Sequence, residues 1–417
     1  MYRILLQLIF IFIGTSTTLS QQSYIPSYTG IPLSPNNGPW GGASNVPNTT
    51  YSRIFYATPS IGSYNHAAMI DFHYSQFLAT WKNAPKDEDS AGQRILYSQS
   101  VDGVNWTTPS ILFPNISTNN FPVHLFAEPA LHINGNLYAA ASPIQFCIYP
   151  TPFPKVLLLR RVMVPGVQQL GPIFWASNTI PAGYEEASIL NNIVTLNQTD
   201  SNTIEDISTL SNTLLVPCGP DCGEGEYKCE AVMNGYQDVN IPMNISGMQN
   251  EETHYIVPGT YQTNNQIDVL LYRNINKKLW FSVRFNGTNG NWTYPLESNL
   301  SDDVANINSG PFEDGTVYLV SNLMPNPAGR DPLFVTVSYD GWSFNNTHVV
   351  AACNMTEFTS PEQPNACVMR YPGLYKGPGP QYPQAVAVTA YGYEGLWVVF
   401  SMNKEDIWVA RVPLTFY

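Results

Sequence analysis

Short runs of apolar and polar residues in alternation recur along this chain, separated by Gly, Pro and Asn turns, and the spacing of an amphipathic helix is almost absent. A first unit, His66 to Pro109, holds Phe77-Leu-Ala-Thr-Trp81 and Arg94-Ile-Leu-Tyr-Ser98 as paired strands. A second, His124 to Trp175, holds Leu137-Tyr-Ala-Ala-Ala-Ser142 and Val156-Leu-Leu-Leu-Arg160-Arg161-Val162. A third, Tyr184 to about Asn244, is the least regular and carries a cysteine-rich insertion. The fourth runs from His254 to Pro295, the fifth from Ile307 to Val350, and the sixth begins at Tyr382 and ends in Leu396-Trp-Val-Val-Phe-Ser401 and Asp406-Ile-Trp-Val-Ala-Arg411-Val. A repeat of roughly 50 residues with four short strands per unit predicts an all-β chain folded as a β-propeller. Six units are visible, so the ring is expected to have six or seven blades. The strand around Arg53-Ile-Phe-Tyr56 either closes the ring with the last blade or begins a seventh.

Two stretches sharpen the prediction. Ser100-Val-Asp102-Gly103-Val-Asn-Trp106 and Ser338-Tyr-Asp340-Gly341-Trp342-Ser-Phe344 each follow an alternating strand. In each, Asp bonds the turn backbone, Gly supplies a positive φ, and an aromatic folds back over the hairpin. Both resemble the Asp box (BNR repeat) of sialidase-type propellers, in a degenerate form with Gly directly after Asp. The box is a structural device and names no catalyst.

The N-terminus reads as a targeting segment. Met1-Tyr-Arg3, an apolar stretch from Ile4 to Ile13, and small residues up to Ser20 predict a secretory signal peptide over 1–20. Residues 21–49 are rich in Pro, Gly, Ser and Asn and predict a flexible lead-in, leaving 50–417 for one propeller catalytic domain. Ten Asn-x-Ser/Thr sequons fit a secreted glycoprotein: Asn48, Asn105, Asn115, Asn197, Asn244, Asn286, Asn291, Asn299, Asn345 and Asn354. Six cysteines in that compartment predict disulfides. Cys353 and Cys367 flank one Pro-rich loop and form the expected pair, while the pairing of Cys147, Cys218, Cys222 and Cys229 stays open.

Charge removes some partners. Eighteen Lys and Arg against 31 acidic residues give a net charge of −13, which argues against nucleic acid and anionic membranes. A local pocket of a few arginines for an anionic sugar remains compatible with that balance. No His-x-His, EF-hand-like or repeated Asp-x-Asp pattern supports a metal; no cofactor is expected, and a structural calcium is left open. A secreted, extracellular monomer is the resulting expectation.

Beyond the boxes, residues 50–417 resemble a secreted branch of the sialidase-like propellers. Tyr64-Asn-His66-Ala, Trp81-Lys82 and Asp87-Glu88-Asp89 leading to Gly92-Gln93-Arg94 look like that branch's first blade, and Tyr382-Pro-Gln with Phe400-Ser-Met-Asn403-Lys404-Glu405-Asp406-Ile like its last. The resemblance extends to seven-bladed lyases that release rhamnose from glucuronate, and it slightly favours seven blades over six. It implies a carbohydrate-active enzyme on an acidic glycan, foremost a polysaccharide lyase working by β-elimination. Exo-sialidase or another glycoside hydrolase is one alternative, and a non-catalytic glycan-binding propeller another.

A uronate lyase needs a base, an acid and a cation for the carboxylate. His66 and His124 stand before apolar strands as candidate base and acid, with Tyr382 as a third participant. His254 occupies a comparable place and is a candidate for substrate binding, with Lys404. Arg94, Arg160, Arg330 and Arg370 are candidates to grip the carboxylate in a planar fork, although Arg330-Asp331 also reads as a local pair. His73, His132 and His348 read as structural. A glycosidase would instead need facing carboxylates, for which Glu128, Glu185, Glu186 and Glu252 are available.

Overall fold

The computed structural model describes residues 27–416, apart from 32, 89, 119–120, 145–156, 164–169, 182, 210–218, 221–226, 230–240, 244–247, 261–264, 288–289, 327–328 and 362; at 118, 121–122, 144, 416 and within 219–252 it describes backbone only. The expected signal peptide, Cys147, Cys218, Cys222 and Asn244 lie outside the described residues, as do the side chains of Cys229 and Glu252.

The chain folds as a β-propeller. The first blade orders Tyr64–His73, Gln76–Ala84, Arg94–Ser100 and Ser110–Phe113 from centre to rim. The second starts with His124–Ile133 and Asn136–Ile144, the fourth with Met248–Ile256 and Ile267–Asn274. The fifth contains Asn308–Pro311, Val317–Ser321 and Leu333–Ser338, and the closing blade Pro380–Val388, Gly395–Met402 and Asp406–Val412. The outermost strand of the closing blade is Thr50–Phe55, antiparallel to Asp406–Val412, so strands from opposite ends of the chain share one sheet. The innermost strands of the second, first, closing, fifth and fourth blades touch in that order.

Among the described residues five sheets have the four or five strands of a blade, fewer than the six or seven expected. At the third position only a three-stranded sheet is described, Gly219–Pro220, Tyr227–Cys229 and Ile241–Met243. Before it come two short helices, Glu185–Leu190 and Ser201–Thr209, where strands were anticipated. Among the described residues no helix is long and apolar enough to cross a membrane.

Second strands are sandwiched between neighbouring blades, which is why they read as continuous apolar runs: every residue of Gly395–Met402 is buried. The core therefore lies in seams between blades. Leu78 and Ile95 meet Leu125 and Ala127 in one seam, and Ala79 and Trp81 meet Val399 and Ile407 in the next. The two Asp boxes form as expected. In the first, Asp102 accepts from the amides of Val104 (2.8 Å) and Asn105 (2.7 Å), and Trp106 Nε1 donates to the Gly103 carbonyl (3.1 Å). Gly103, at φ 71°, lies against Trp397 of the closing blade, where a Cβ would come within 2.2 Å of the indole, so the box also fits one blade to the next. The predicted Cys353–Cys367 disulfide is present.

The stretch read as a flexible lead-in is packed from residue 27 onward. Thr29–Gly30 pairs with Ser343–Phe344, and Ser44–Asn45 with His348–Val349. Tyr28 is buried between Phe281 and Phe344, at centroid distances of 5.1 and 5.2 Å. Each such aromatic pair adds about 0.5–1.5 kcal/mol beyond area burial, enough to hold a segment whose composition alone favours a coil. Nine of the ten sequon asparagines fall within the described residues and all nine are exposed.

Candidate functional site

The innermost strands of the first and closing blades begin side by side, and both carry a bulge near their start, between His66 and Met69 and between Gln381 and Gln384. Tyr382 sits in the second bulge with φ 53°, a conformation uncommon for a residue with a bulky side chain, and Ala67 in the first with φ 48°. Bulges re-aim side chains, and here they bring the His66 and Tyr382 rings to 4.0 Å between centroids.

Cations surround this pair. Arg273, at the end of the fourth blade's second strand, donates from Nη1 to the Tyr382 hydroxyl at 2.7 Å. Arg330, between the second and third strands of the fifth blade, has its guanidinium 4.8 Å from the Tyr382 ring centre. Lys404, in the equivalent turn of the closing blade, lies 5.8 Å from the same ring. Lys82 ends the set, buried in the first blade's second strand with its ammonium 3.6 Å from the Phe126 ring. In four blades the end of the second strand or the turn after it thus delivers a cation to one end of the central axis.

One carboxylate tempers that charge. Glu88 accepts from Lys404 (2.9 Å) and Lys82 (3.4 Å), joining the first blade to the closing blade. Burial alone would raise its pKa, but the two lysines outweigh burial and hold it down at about 2. His66 is fully buried, and desolvation, reinforced by Lys404, Arg330, Lys82 and Arg273, pushes its pKa well below the ordinary value, so it is neutral near pH 7. Its Nδ1 pairs with Ser401 Oγ at 2.7 Å, and Ser401 Oγ in turn donates to the Gln381 carbonyl at 3.3 Å. With Ser401 so engaged, Nδ1 carries the proton and Nε2 the lone pair, and Nε2 has no hydrogen-bond partner. His124 opens the second blade's innermost strand; desolvation first, then Lys82, lowers its pKa to about 4.

Of the residues picked from sequence, His66, Tyr382, Arg330 and Lys404 are brought together, and His124 feels the same Lys82–Glu88 pair. Arg330 does not pair with Asp331, whose carboxylate accepts from the Cys353 amide; its donors go to the Gln381 side-chain oxygen (3.1 Å) and the Val304 carbonyl (2.7 Å). The others serve elsewhere. His254 lies near the far end of its strand, hydrogen-bonded to the buried Asp268 carboxylate (3.1 Å) that Arg284 pairs with. Arg94 bonds Asn83 and the Ile61 carbonyl. Arg160 bridges the Gly171 and Leu112 carbonyls. Arg370 is paired with Glu405 and Asp406 and lies over Tyr56. Of the carboxylates offered for a glycosidase, the three with described side chains do not converge: Glu128 bonds Ser142 within the second blade, and Glu185 and Glu186 are exposed on a helix. Asp331 approaches Cys353 and Cys367, but the disulfide leaves no thiolate there for a metal.

A family described as "Beta-prop_BT_1020:-like, N-terminal beta propeller" has a model that matches residues 57–127, which hold His66, Lys82, Glu88 and His124. Among solved structures, one titled "Sialidase" superposes with a TM-score of 0.66 at 21% identity, over 93% of this chain and 35% of that one. A Trypanosoma rangeli sialidase, in complex with 2,3-difluorosialic acid as a covalent intermediate, gives 0.52 at 11% identity, over 90% of this chain and 60% of that one. The intramolecular trans-sialidase from Ruminococcus gnavus, in complex with oseltamivir carboxylate, gives 0.50 at 9% identity, over 88% and 98%. The fold is that of a sialidase-type propeller. The chain spans about a third of the first of these structures and 60% of the second. No curated protein matches it.

Within this sialidase-type propeller, three groups at the site besides Glu88 escaped the sequence reading. Arg273 ends a strand as Tyr-Arg-Asn and looks like an ordinary edge. Lys82 carried a usable signal, because a lysine directly after Trp81 in an apolar run is either an error of alternation or a buried, paired cation. The third is Asp302, fully buried beside Arg273 and Arg330 and bonded by Ser321 Oγ at 3.0 Å.

Burial raises the Asp302 pKa from 3.8 to about 7, against the pull of Ser321 and the two arginines. Between those values the unfolded chain loses the proton while the folded chain keeps it, so this group's contribution to stability falls as pH rises towards 7. Asp302→Asn is expected to remove that fall, flattening the dependence of the thermal midpoint on pH over this window. An unchanged slope would mean that Asp302 does not titrate there.

Proposed function

We propose that the protein is a carbohydrate-active enzyme that cleaves a glycosidic bond at an acidic sugar. The observation that carries this reading is the Tyr382 hydroxyl held by Arg273, with Arg330 packed on its ring and no carboxylate paired to Arg330 among the described residues. A sugar carboxylate seated between the two guanidiniums would place the neighbouring ring carbon close to the phenol. Hydrolysis stands first. Tyr382 attacks the anomeric carbon as the bond to the leaving oxygen breaks. Neutral His66, whose ring meets that of Tyr382, takes the phenol proton while Arg273 stabilises the phenolate. The departing oxygen is protonated from water, and a second water then cleaves the Tyr382–sugar bond to release the acidic sugar. The T. rangeli structure supports the comparison, because there a difluorinated acidic sugar is trapped as a covalent intermediate.

A second reading, β-elimination beside glucuronate, is favoured by one feature: an unpartnered, neutral His66 Nε2 amid cations is suited to taking a proton next to a carboxylate. Secretion and glycosylation of the exposed sequons belong to the same proposal.

Incubation with sialyl glycans and with uronate-bearing gums separates the readings. Free acidic sugar without an ultraviolet-absorbing product means hydrolysis, and an unsaturated uronate means lyase action. Binding without cleavage would reduce the protein to a glycan-binding propeller, and indifference to both substrates would discard the proposal.

A further inference from the structure

Arg273 and Arg330 arrive from different blades, and two guanidiniums brought together repel unless something fixes them. They converge on a single backbone acceptor. The Val304 carbonyl accepts from Arg273 Nη1 at 3.0 Å and from Arg330 Nη2 at 2.7 Å. Val304 holds this position with φ 55°, a left-handed backbone that a β-branched residue rarely adopts. Strain of this kind persists only where the surroundings over-determine it, and it clusters at functional sites.

The flanking residues supply that constraint. The Asp303 amide donates to the Asn322 carbonyl at 2.8 Å, and the Asp303 carboxylate accepts from Lys277 Nζ at 2.9 Å. Asp302 accepts from Ser321 Oγ at 3.0 Å and from the Ala305 amide at 3.3 Å. The turn is thus tied to the fourth and fifth blades at once. Arg330 is tied further to the closing blade through Gln381, the residue before Tyr382.

We propose that Val304 is a positioning residue: its inverted carbonyl gathers Arg273 and Arg330 into one fork, and that fork makes the site select a free carboxylate over an ester or a neutral sugar. The inference rests on the acidic-sugar reading above and assigns its selectivity to a backbone atom. A left-handed turn sets the carbonyl direction, so a residue that tolerates positive φ should preserve selectivity and one that forbids it should lose it.

The test uses the full chain with aryl glycosides of N-acetylneuraminate and of glucuronate, each also as its methyl ester. The readout is the ratio of kcat/KM for acid to that for ester. Val304→Gly accepts the left-handed backbone and is expected to keep the wild-type preference. Val304→Pro, with φ fixed near about −65°, is expected to cut it by about tenfold or more, chiefly through KM for the acid. As a second measurement that spares every other side chain of the site, Ala305 is replaced by lactate, so that the 304–305 linkage becomes an ester and its carbonyl a weaker acceptor. A several-fold loss of preference is expected there as well. Asp302→Asn controls for the lost Ala305 N–H contact. Unchanged preference in the lactate protein, or equal loss in the Gly and Pro variants, overturns the inference. A wild type that cleaves acid and ester alike, or neither, overturns the acidic-sugar reading itself, and the fork with it.

Discussion

Tyr382→Phe is expected to lower the rate of cleavage at an acidic sugar by ~100-fold or more while the propeller stays folded. The substitution removes one oxygen. The ring that meets His66 and lies under Arg330 is kept, and only one of the acceptors of Arg273 is lost. Because Arg273 and Arg330 retain the Val304 carbonyl, the carboxylate fork should survive, and the loss should appear in kcat more than in KM. His66→Ala is expected to match it at ~100-fold by removing the base. Initial rates on the substrate that the wild type cleaves, with circular dichroism as a check on folding, decide the matter. A Phe variant within about threefold of wild type would move the reaction away from Tyr382. A His66→Ala enzyme that remained active would leave Tyr382 in place and remove only the base.

Glu88→Ala is expected to cost ~3 kcal/mol of folding stability. The Lys82 side chain is fully buried, Lys404 nearly so, and Glu88 is the carboxylate they share. Removing it leaves Lys82 charged in a seam between blades, facing Phe126. The figure is set at the low end for a broken buried pair because Glu88 itself remains 22% exposed. Since its pKa is depressed from 4.5 to about 2, the contribution is fully present above the ordinary carboxylate range and is lost as pH falls through about 2. Chemical denaturation at neutral pH measures the loss; a Glu88→Ala midpoint equal to that of wild type would show that water, rather than Glu88, solvates the lysines.

The blades were legible because their second strands are covered on both faces, and the sequence there must be apolar without interruption. Asp102-Gly103 and Asp340-Gly341 were legible because their turns need those residue types in that order. Arg330 stood out as a guanidinium able to grip a carboxylate, Lys404 by the resemblance to a last blade, and His66 and Tyr382 as polar residues at blade starts. His254 stood out for the same reason as His66 and was misplaced, because sequence position does not say at which end of a strand a residue lies. The third unit was read as strands although its Ile204 and Ile207 fall on one side of a short helix, a signal too brief to compete with the surrounding repeat. Tyr28 shows the opposite failure: one aromatic in a coil-like segment gains a place between two other blades' rings, a tertiary effect that composition does not display. The Val304 carbonyl could not be read at all, since nothing about a valine announces an inverted backbone.

Pairing Tyr51 with Ala410 has a consequence for synthesis. The Thr50–Phe55 strand leaves the ribosome long before Asp406–Val412 exists, so the nascent chain carries an unpaired β-edge until that partner strand is made. Contacts this distant in sequence form slowly, and prematurely terminated chains would keep the edge open for aggregation. His66 and Lys82 emerge early, Arg273 and Arg330 later, and Tyr382 and Lys404 near the end. The residues gathered around Tyr382 therefore come together only once the Thr50–Phe55 and Asp406–Val412 strands have met and closed the ring.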